Sequence, residues 1–91
     1  MEGKVKMFIN KAADGRNNLC GRRIAQERKE RGLSQRQFAD ALQLLGLDLD
    51  KNAIQRIECG KRFVTDIELA VIARCLELSC DALLLPFFLK Q

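Results

Sequence analysis

Two short segments, residues 32–39 and 54–61, constrain most strongly how this chain of 91 residues can fold. The first begins at Gly32 and runs through a serine into an amphipathic stretch, and the second ends at Gly60. Serine caps the start of a helix and glycine stops one in the left-handed conformation, so both segments have defined boundaries. The pattern predicts two short helices, the second with an apolar inner face and a polar, partly basic outer face.

The same signals predict five short helices and an all-α fold, a compact five-helix bundle. The expected helices are Leu19–Arg31, Ser34 to about Leu45, residues 51–59, Thr65 to about Leu76, and Ser79 to about Leu84. Ser34 with Gln37 and Thr65 with Glu68 have the spacing of capping boxes, and Asp50 is a good cap for the third helix. Pro86 is expected to prevent the fifth helix from continuing.

Apolar residues recur at three- and four-residue spacing within these helices and predict the core. The residues expected to face inward are Cys20, Ile24, the stem of Arg28, Phe38, Ala39, Leu42, Leu45, Ile54, Ile57, Leu69, Ile72, Ala73 and Leu76.

Three regions follow from this division. Residues 1–18 carry turn signals and only faint strand alternation, which predicts an arm that is either mobile or a short packed segment. Residues 19–85 form the helical domain, and residues 86–91 are an apolar tail. The apolar side chains at the carboxyl terminus either form a patch for a second copy of the chain or fold back over the first helix.

The charges are distributed unevenly. The net charge is +4, but residues 1–62 carry +6 and residues 63–91 carry −2. A polyanion would therefore meet the first two thirds of the chain.

The composition argues against several classes of protein. Hydrophobic residues make up 47% of the chain, and its longest apolar run is far shorter than the ~20 residues of a membrane span. There is no histidine, and the four cysteines form no C-x-x-C pair, so we expect no metal site. We also expect no cofactor and no small-molecule ligand. No acid, base and nucleophile stand together, so we expect no enzyme. Reduced thiols and the lack of a signal core predict a cytoplasmic protein.

A longer series of residues follows the order of a sequence pattern known from a protein family. It consists of Arg28–Gln35, Phe38–Ala39, Leu42, Ile54, Ile57–Glu58, Gly60–Arg62, Ile72–Ala73, Leu76, Ser79 and Leu83. In this order the chain resembles the phage-repressor (Xre-like) family of helix-turn-helix proteins over about residues 20–85. The resemblance implies a five-helix domain that controls transcription, commonly as a homodimer on roughly palindromic double-stranded DNA.

The chain departs from the family pattern at three places. About five extra residues lengthen the turn between the second and third helices, so residues 43–50 hold either a longer helix or a loop. Glu27 replaces an apolar or small residue and is expected at the helix edge, paired with Arg23 or Arg31. Glu77 replaces a glycine, which costs about 1 kcal/mol if the backbone there is left-handed.

Polar residues on the outer face of the third helix are the candidates for base contacts. They are Lys51, Asn52, Arg56 and, less strongly, Gln55. Asparagine pairs with adenine edges and lysine or arginine with guanine, and the resemblance matches the first three to base-reading positions. The alternative interpretation, which composition alone would favour, is that this face of the helix is only exposed to solvent.

A second group is suited to the DNA backbone. Gln35 lies at the start of the second helix, where unpaired N–H groups favour an anion, and Arg36, Lys61 and Arg62 add charge. For these side chains, surface solubility is the alternative interpretation.

Two further sites are structural or regulatory. Arg28 and Glu58 match a buried ion pair that joins the first and third helices in the family. Cys59 ends the third helix, where oxidation could couple redox state to binding. The sequence therefore predicts a transcriptional regulator of bacterial or phage type, with an antitoxin or adaptor that binds protein as the alternative.

Overall fold

The computed structural model describes residues 11–89, with residues 85–89 described by their backbone alone. Five helices follow one another: α1 (Gly21–Glu30), α2 (Gln35–Leu44), α3 (Lys51–Glu58), α4 (Asp66–Cys75) and α5 (Cys80–Leu89). The described residues contain no strand. The all-α, five-helix prediction is confirmed.

The predicted caps account for where the helices begin. The hydroxyl of Ser34 accepts a hydrogen bond from the backbone N–H of Gln37 at 3.0 Å, and the Gln37 side chain accepts one from the Ser34 N–H at 2.8 Å. Thr65 and Glu68 form the same reciprocal box at the start of α4. The carboxylate of Asp50 accepts from the N–H group three residues on, at 2.8 Å, and opens α3. Each cap satisfies donors that a helix start leaves unpaired.

The core consists of residues from all five helices, of Cys20 and Leu76 next to the ends of α1 and α4, and of Leu49 from the loop before α3. Its buried hydrophobic members are Cys20, Ile24, Phe38, Ala39, Leu42, Leu49, Ile54, Ile57, Ile72, Ala73, Leu76 and Leu83. Leu69, also expected in the core, is half-buried and packs against it. These side chains hold α3 against α1 and α2, which leaves its opposite face outward.

The expectation that Leu45 faces inward is wrong, since 38% of the residue is exposed. The helix ends at Leu44, so Leu45 no longer follows the inward stripe of α2. Residues 45–50 form a loop rather than a longer helix, and Gly46 in this loop has a φ of +89°. Leu49, from the same loop, enters the core instead.

The expectation that α5 ends near Leu84 is also wrong, because the backbone stays helical through Leu89 and past Pro86. Proline has a φ that suits a helix, so its effect is local. It removes one N–H donor and crowds the carbonyl four residues earlier, which can kink a helix without ending it. Residues 90–91 of the predicted tail and residues 1–10 of the predicted arm lie outside the described residues.

Glu27 lies inside the protein rather than at a helix edge, with only 6% of the residue exposed. Its carboxylate accepts hydrogen bonds from Arg31 at 2.6 Å and from Arg23 at 2.7 Å, so it pairs with both candidates rather than one. The hydrogen bond from Arg31, assisted by Arg23, lowers the pKa of Glu27 below its ordinary value. A second Arg31 nitrogen donates to the Leu76 carbonyl at 2.6 Å, which ties α1 to the end of α4.

Candidate nucleic-acid interface

The outer face of α3 is open to solvent. Lys51, Asn52, Gln55 and Arg56 are all exposed, whereas the helix buries its two isoleucines completely or nearly so. The side chains predicted to read bases therefore lie together on one accessible surface. This is the arrangement by which a helix can enter the major groove.

A cleft of about 390 Å³ separates the start of α3 from the outer face of α2. It brings the candidate backbone residue Arg36 to the same opening as Lys51 and Asn52. Asp40 and Asp50 also line this cleft, and their charges partly offset the cations. Asp40 could not be identified from the sequence, because the sequence does not show which residues lie opposite a carboxylate on the surface of a helix.

Gln35, the candidate for a phosphate contact, is half-buried as the first residue of α2. Its amide nitrogen donates to a carboxylate oxygen of Glu58 at 3.0 Å. An amide nitrogen carries two hydrogens, so this bond orients the side chain and leaves one donor for an anion.

Arg28 and Glu58 lie in contact between α1 and α3. Two guanidinium nitrogens donate to the two carboxylate oxygens at 2.7 and 3.0 Å, and both side chains are only 8% exposed. A third nitrogen of Arg28 donates to the carbonyl of Leu33 at 2.6 Å. Together with Gln35, this network fixes the start of α2 to the end of α3.

The remaining basic candidates differ in their surroundings. Arg36 and Lys61 are exposed. Arg62 is instead partly buried and donates to both carboxylate oxygens of Glu68, at 2.9 and 3.1 Å. That pairing raises the pKa of Arg62 and lowers the pKa of Glu68. Arg62 therefore has a protein partner that sequence reasoning did not predict.

The segment before α1 is the main feature that sequence reasoning missed. Residues 16–18 are half-buried or buried, with Asn18 against the end of α3, whereas Lys11 and residues 13–15 are exposed. Arg16 and Asn17 also donate hydrogen bonds there. The asparagines were visible only as turn signals, because nothing in the spacing shows which helix end they meet.

The cysteines are free thiols in different environments. Cys59, at the end of α3, is exposed, and Cys20 is buried. Burial raises the pKa of Cys20 to about 11. Among residues 11–89 no group of His, Cys, Asp and Glu could hold a metal ion, and no helix of that part is long and apolar enough to cross a membrane.

The family model described as helix-turn-helix, of the Xre and lambda-repressor type, matches residues 24–83, well over half of the chain. The chain belongs to this helix-turn-helix family. It is thereby a DNA-binding domain of a regulatory family rather than of an enzyme family. No curated protein and no solved structure matches the chain significantly. In this helix-turn-helix protein, α2 and α3 are the two helices of the motif and residues 45–50 are its turn.

Proposed function

We propose that this helix-turn-helix protein is a sequence-specific regulator, most simply a repressor, that binds double-stranded DNA in the cytoplasm. Lys51, Asn52 and Arg56 read base edges in the major groove, with Gln55 in a supporting role. Gln35, Arg36, Lys61 and Arg62 hold the sugar–phosphate backbone. Occupation of a promoter by such a domain blocks transcription without any catalytic step.

The observation that carries this proposal is the division of α3 into two faces. Its isoleucines are buried, and the four polar candidates stand exposed on the other side. Arg36 and Lys61, which are exposed on neighbouring elements, supply cations that suit phosphates. The network of Arg28, Glu58 and Gln35 keeps the two helices of the motif in a fixed relation.

Selection of bound duplexes from a random pool, followed by fluorescence anisotropy, tests the proposal. Lys51→Ala and Arg56→Ala should each reduce the preference for the selected duplex by about tenfold or more, since a good base contact discriminates by ~1–3 kcal/mol. Arg74→Ala is the matched control, because it removes an exposed charge from α4. Failure of the wild-type protein to select any duplex would refute sequence-specific binding.

We further propose that the chain acts as a homodimer through its apolar carboxyl-terminal segment. Deletion of residues 86–91 should then give a monomer in sedimentation velocity and weaken binding to a palindromic duplex more than to a half-site. An unchanged sedimentation coefficient would contradict this dimer.

A protein-binding module remains the second candidate, and one observation favours it. The large apolar residues Phe63, just before α4, and Ile67, in its first turn, are 53% and 71% exposed. An adaptor of this fold would show no duplex preference, and Ile67→Glu would release its partner without lowering its melting temperature.

A further inference from the structure

Three consecutive residues ahead of α1, Arg16, Asn17 and Asn18, bind the carboxyl-terminal end of α3 and the residues that follow it. The contacts join parts of the chain that are about forty positions apart, as in the hydrogen bond between Asn18 and Ile57, 39 positions away. They hold the helix that bears the proposed base-reading residues.

The end of α3 exposes carbonyl groups that the helix itself cannot pair. Local N–H groups satisfy the carbonyls of Gln55 and Arg56, and the N–H of Gly60 donates to the carbonyl of Ile57 at 3.1 Å. The last two carbonyls of the helix have donors from the segment before α1. The side-chain nitrogen of Asn18 donates to Ile57 at 3.0 Å, and a guanidinium nitrogen of Arg16 donates to Glu58 at 2.7 Å.

The same segment also holds the residues that follow the helix. The backbone N–H of Asn17 donates to the carbonyl of Gly60 at 2.8 Å, and its side chain donates to that of Lys61 at 3.0 Å. Asn18 reaches the carbonyl of Arg62 at 2.8 Å. Residues 16–18 thus hold in position both the end of α3 and the loop that carries the proposed phosphate contacts.

The side chain of Asn18 makes three of its four possible hydrogen bonds in this position. Its side-chain nitrogen makes the two bonds to Ile57 and Arg62, and its side-chain oxygen accepts from the N–H of Gly21 at 2.8 Å. The residue is buried, so water does not replace a lost partner easily. Asparagine supplies both donors and an acceptor at this length, whereas serine supplies the acceptor without the pair of donors.

The backbones of the two segments approach each other closely at this junction. A β-carbon at Gly21 would collide with the carbonyl oxygen of Ile57, so α1 begins in direct contact with the end of α3. Gly60 has a φ of +84°, and a β-carbon there would lie 2.8 Å from the side chain of Arg16. Both glycines leave the room that the segment occupies.

We propose that Asn18 is a positioning residue that sets the tilt of α3 and thereby the discrimination between DNA sequences. This inference rests on the proposed function. The eight residues of α3 span about 12 Å, so a tilt of about 10° about its carboxyl end moves Lys51 and Asn52 by about 2 Å. A shift of that size breaks hydrogen bonds to base edges but leaves general attraction to phosphates largely intact.

The test compares Asn18→Ser and Asn18→Ala with the wild-type protein. The measured quantity is the ratio of dissociation constants for a random and a selected duplex, at a temperature where circular dichroism shows every variant folded. Both variants should reduce that ratio by about tenfold or more while affinity for the random duplex stays within about twofold. Asn18→Ser retains an acceptor for the N–H of Gly21, so it provides the test if Asn18→Ala does not fold.

Leu69→Ala is the control for a general loss of stability, because Leu69 is half-buried in α4 and contributes no atom to the junction. It should lower the melting temperature and leave the ratio unchanged. An Asn18→Ser protein that is folded and keeps the wild-type ratio within about twofold would overturn the inference.

Hydrogen exchange supplies a readout that needs no DNA. The amides of Gly60 and Lys61 are bonded to Ile57 and Arg56, and in Asn18→Ser they should exchange at least about tenfold faster. Unchanged exchange at these amides would overturn the inference whatever the DNA result. If the wild-type protein selected no duplex, the proposed function would fail and the role in discrimination with it, whereas a failure of this inference alone leaves wild-type selection intact.

Discussion

Arg28 on α1 donates two hydrogen bonds to the two carboxylate oxygens of Glu58 on α3, at 2.7 and 3.0 Å. Both side chains are almost completely buried, so each charge depends on the other. Removal of one partner leaves an uncompensated charge in the interior, which is more costly than the loss of an exposed pair.

We therefore predict that Arg28→Ala or Glu58→Ala lowers the free energy of unfolding by ~3–5 kcal/mol, as measured by urea denaturation. Arg22→Ala is the control, because its 3.3 Å pair with Asp14 leaves 65% of the arginine side chain exposed. That variant should change stability by less than about 0.5 kcal/mol. Equal effects of Arg28→Ala and Arg22→Ala would show that burial of the first pair has no energetic consequence.

The backbone of Glu77 predicts a stabilising substitution. Its φ of +59° is left-handed, and the N–H groups of Glu77 and Leu78 bond back to Arg74 and Ala73 to close α4. Glu77→Gly should raise the free energy of unfolding by about 1 kcal/mol, because glycine adopts this conformation without a steric penalty. Glu77→Ala removes the same side chain but keeps the β-carbon. An equal gain from both variants in thermal denaturation would contradict the backbone explanation.

Two buried or half-buried carboxylates predict how stability depends on pH. The hydrogen bond from Arg31 lowers the pKa of Glu27, and that from Arg62 lowers the pKa of Glu68. A folded-state pKa below the unfolded value adds stability above about pH 4.3, and this stability is lost as the pH falls through the folded pKa. The free energy of unfolding should therefore fall steeply below about pH 4.3.

Glu27→Gln should flatten that acid limb in urea denaturation curves recorded at a series of pH values. Glu30→Gln, which changes an exposed carboxyl group on the same helix, should leave its slope as in the wild-type protein. If the free energy of unfolding of Glu27→Gln fell with pH as steeply as that of the wild-type protein, Glu27 would not contribute to the acid transition.

The exposed position of Lys61 predicts a contact that depends on salt but not on sequence. Lys61→Ala should weaken binding to selected and random duplexes alike and reduce the slope of log K against log salt by about 1. If about six phosphates are neutralised in all, the wild-type slope is near −5. Arg74→Ala is again the control, and a loss confined to the selected duplex would assign Lys61 to base reading instead.

The thiols should differ in reactivity with a disulfide reagent. Cys59 is exposed, whereas burial raises the pKa of Cys20 to about 11 and disfavours its thiolate. Cys59→Ser should remove the fastest phase of labelling, and DNA should slow that phase in the wild-type protein because Cys59 ends α3. A fast phase that persists in Cys59→Ser would assign it to Cys75 or Cys80.

Local chemistry explains why much of the helical pattern could be predicted. Helix boundaries depend on residues that are only three or four positions apart, so the sequence shows them directly. Examples are the Ser34 and Thr65 capping boxes, the Asp50 cap and the left-handed glycines. The periodic stripe of α3 likewise determines which face is buried. The loop at residues 45–50 was less accessible, because it depends on how Leu49 enters the core.

The amino-acid sequence by itself determined the helix-turn-helix order, the polar face of α3 and the uneven charge, because each is set by neighbours in the chain. Only the tertiary structure decided that Asn18 meets Ile57, that Arg62 pairs with Glu68 rather than pointing freely outward, and that Glu27 is buried between two arginines. The carbonyls that accept from the Asn18 side chain, and the Leu76 carbonyl that accepts from Arg31, lie 39 to 45 positions from their donors. The packing of the helices determines which donor binds each carbonyl at a helix end. The spacing of nearby residues in the sequence does not contain this information.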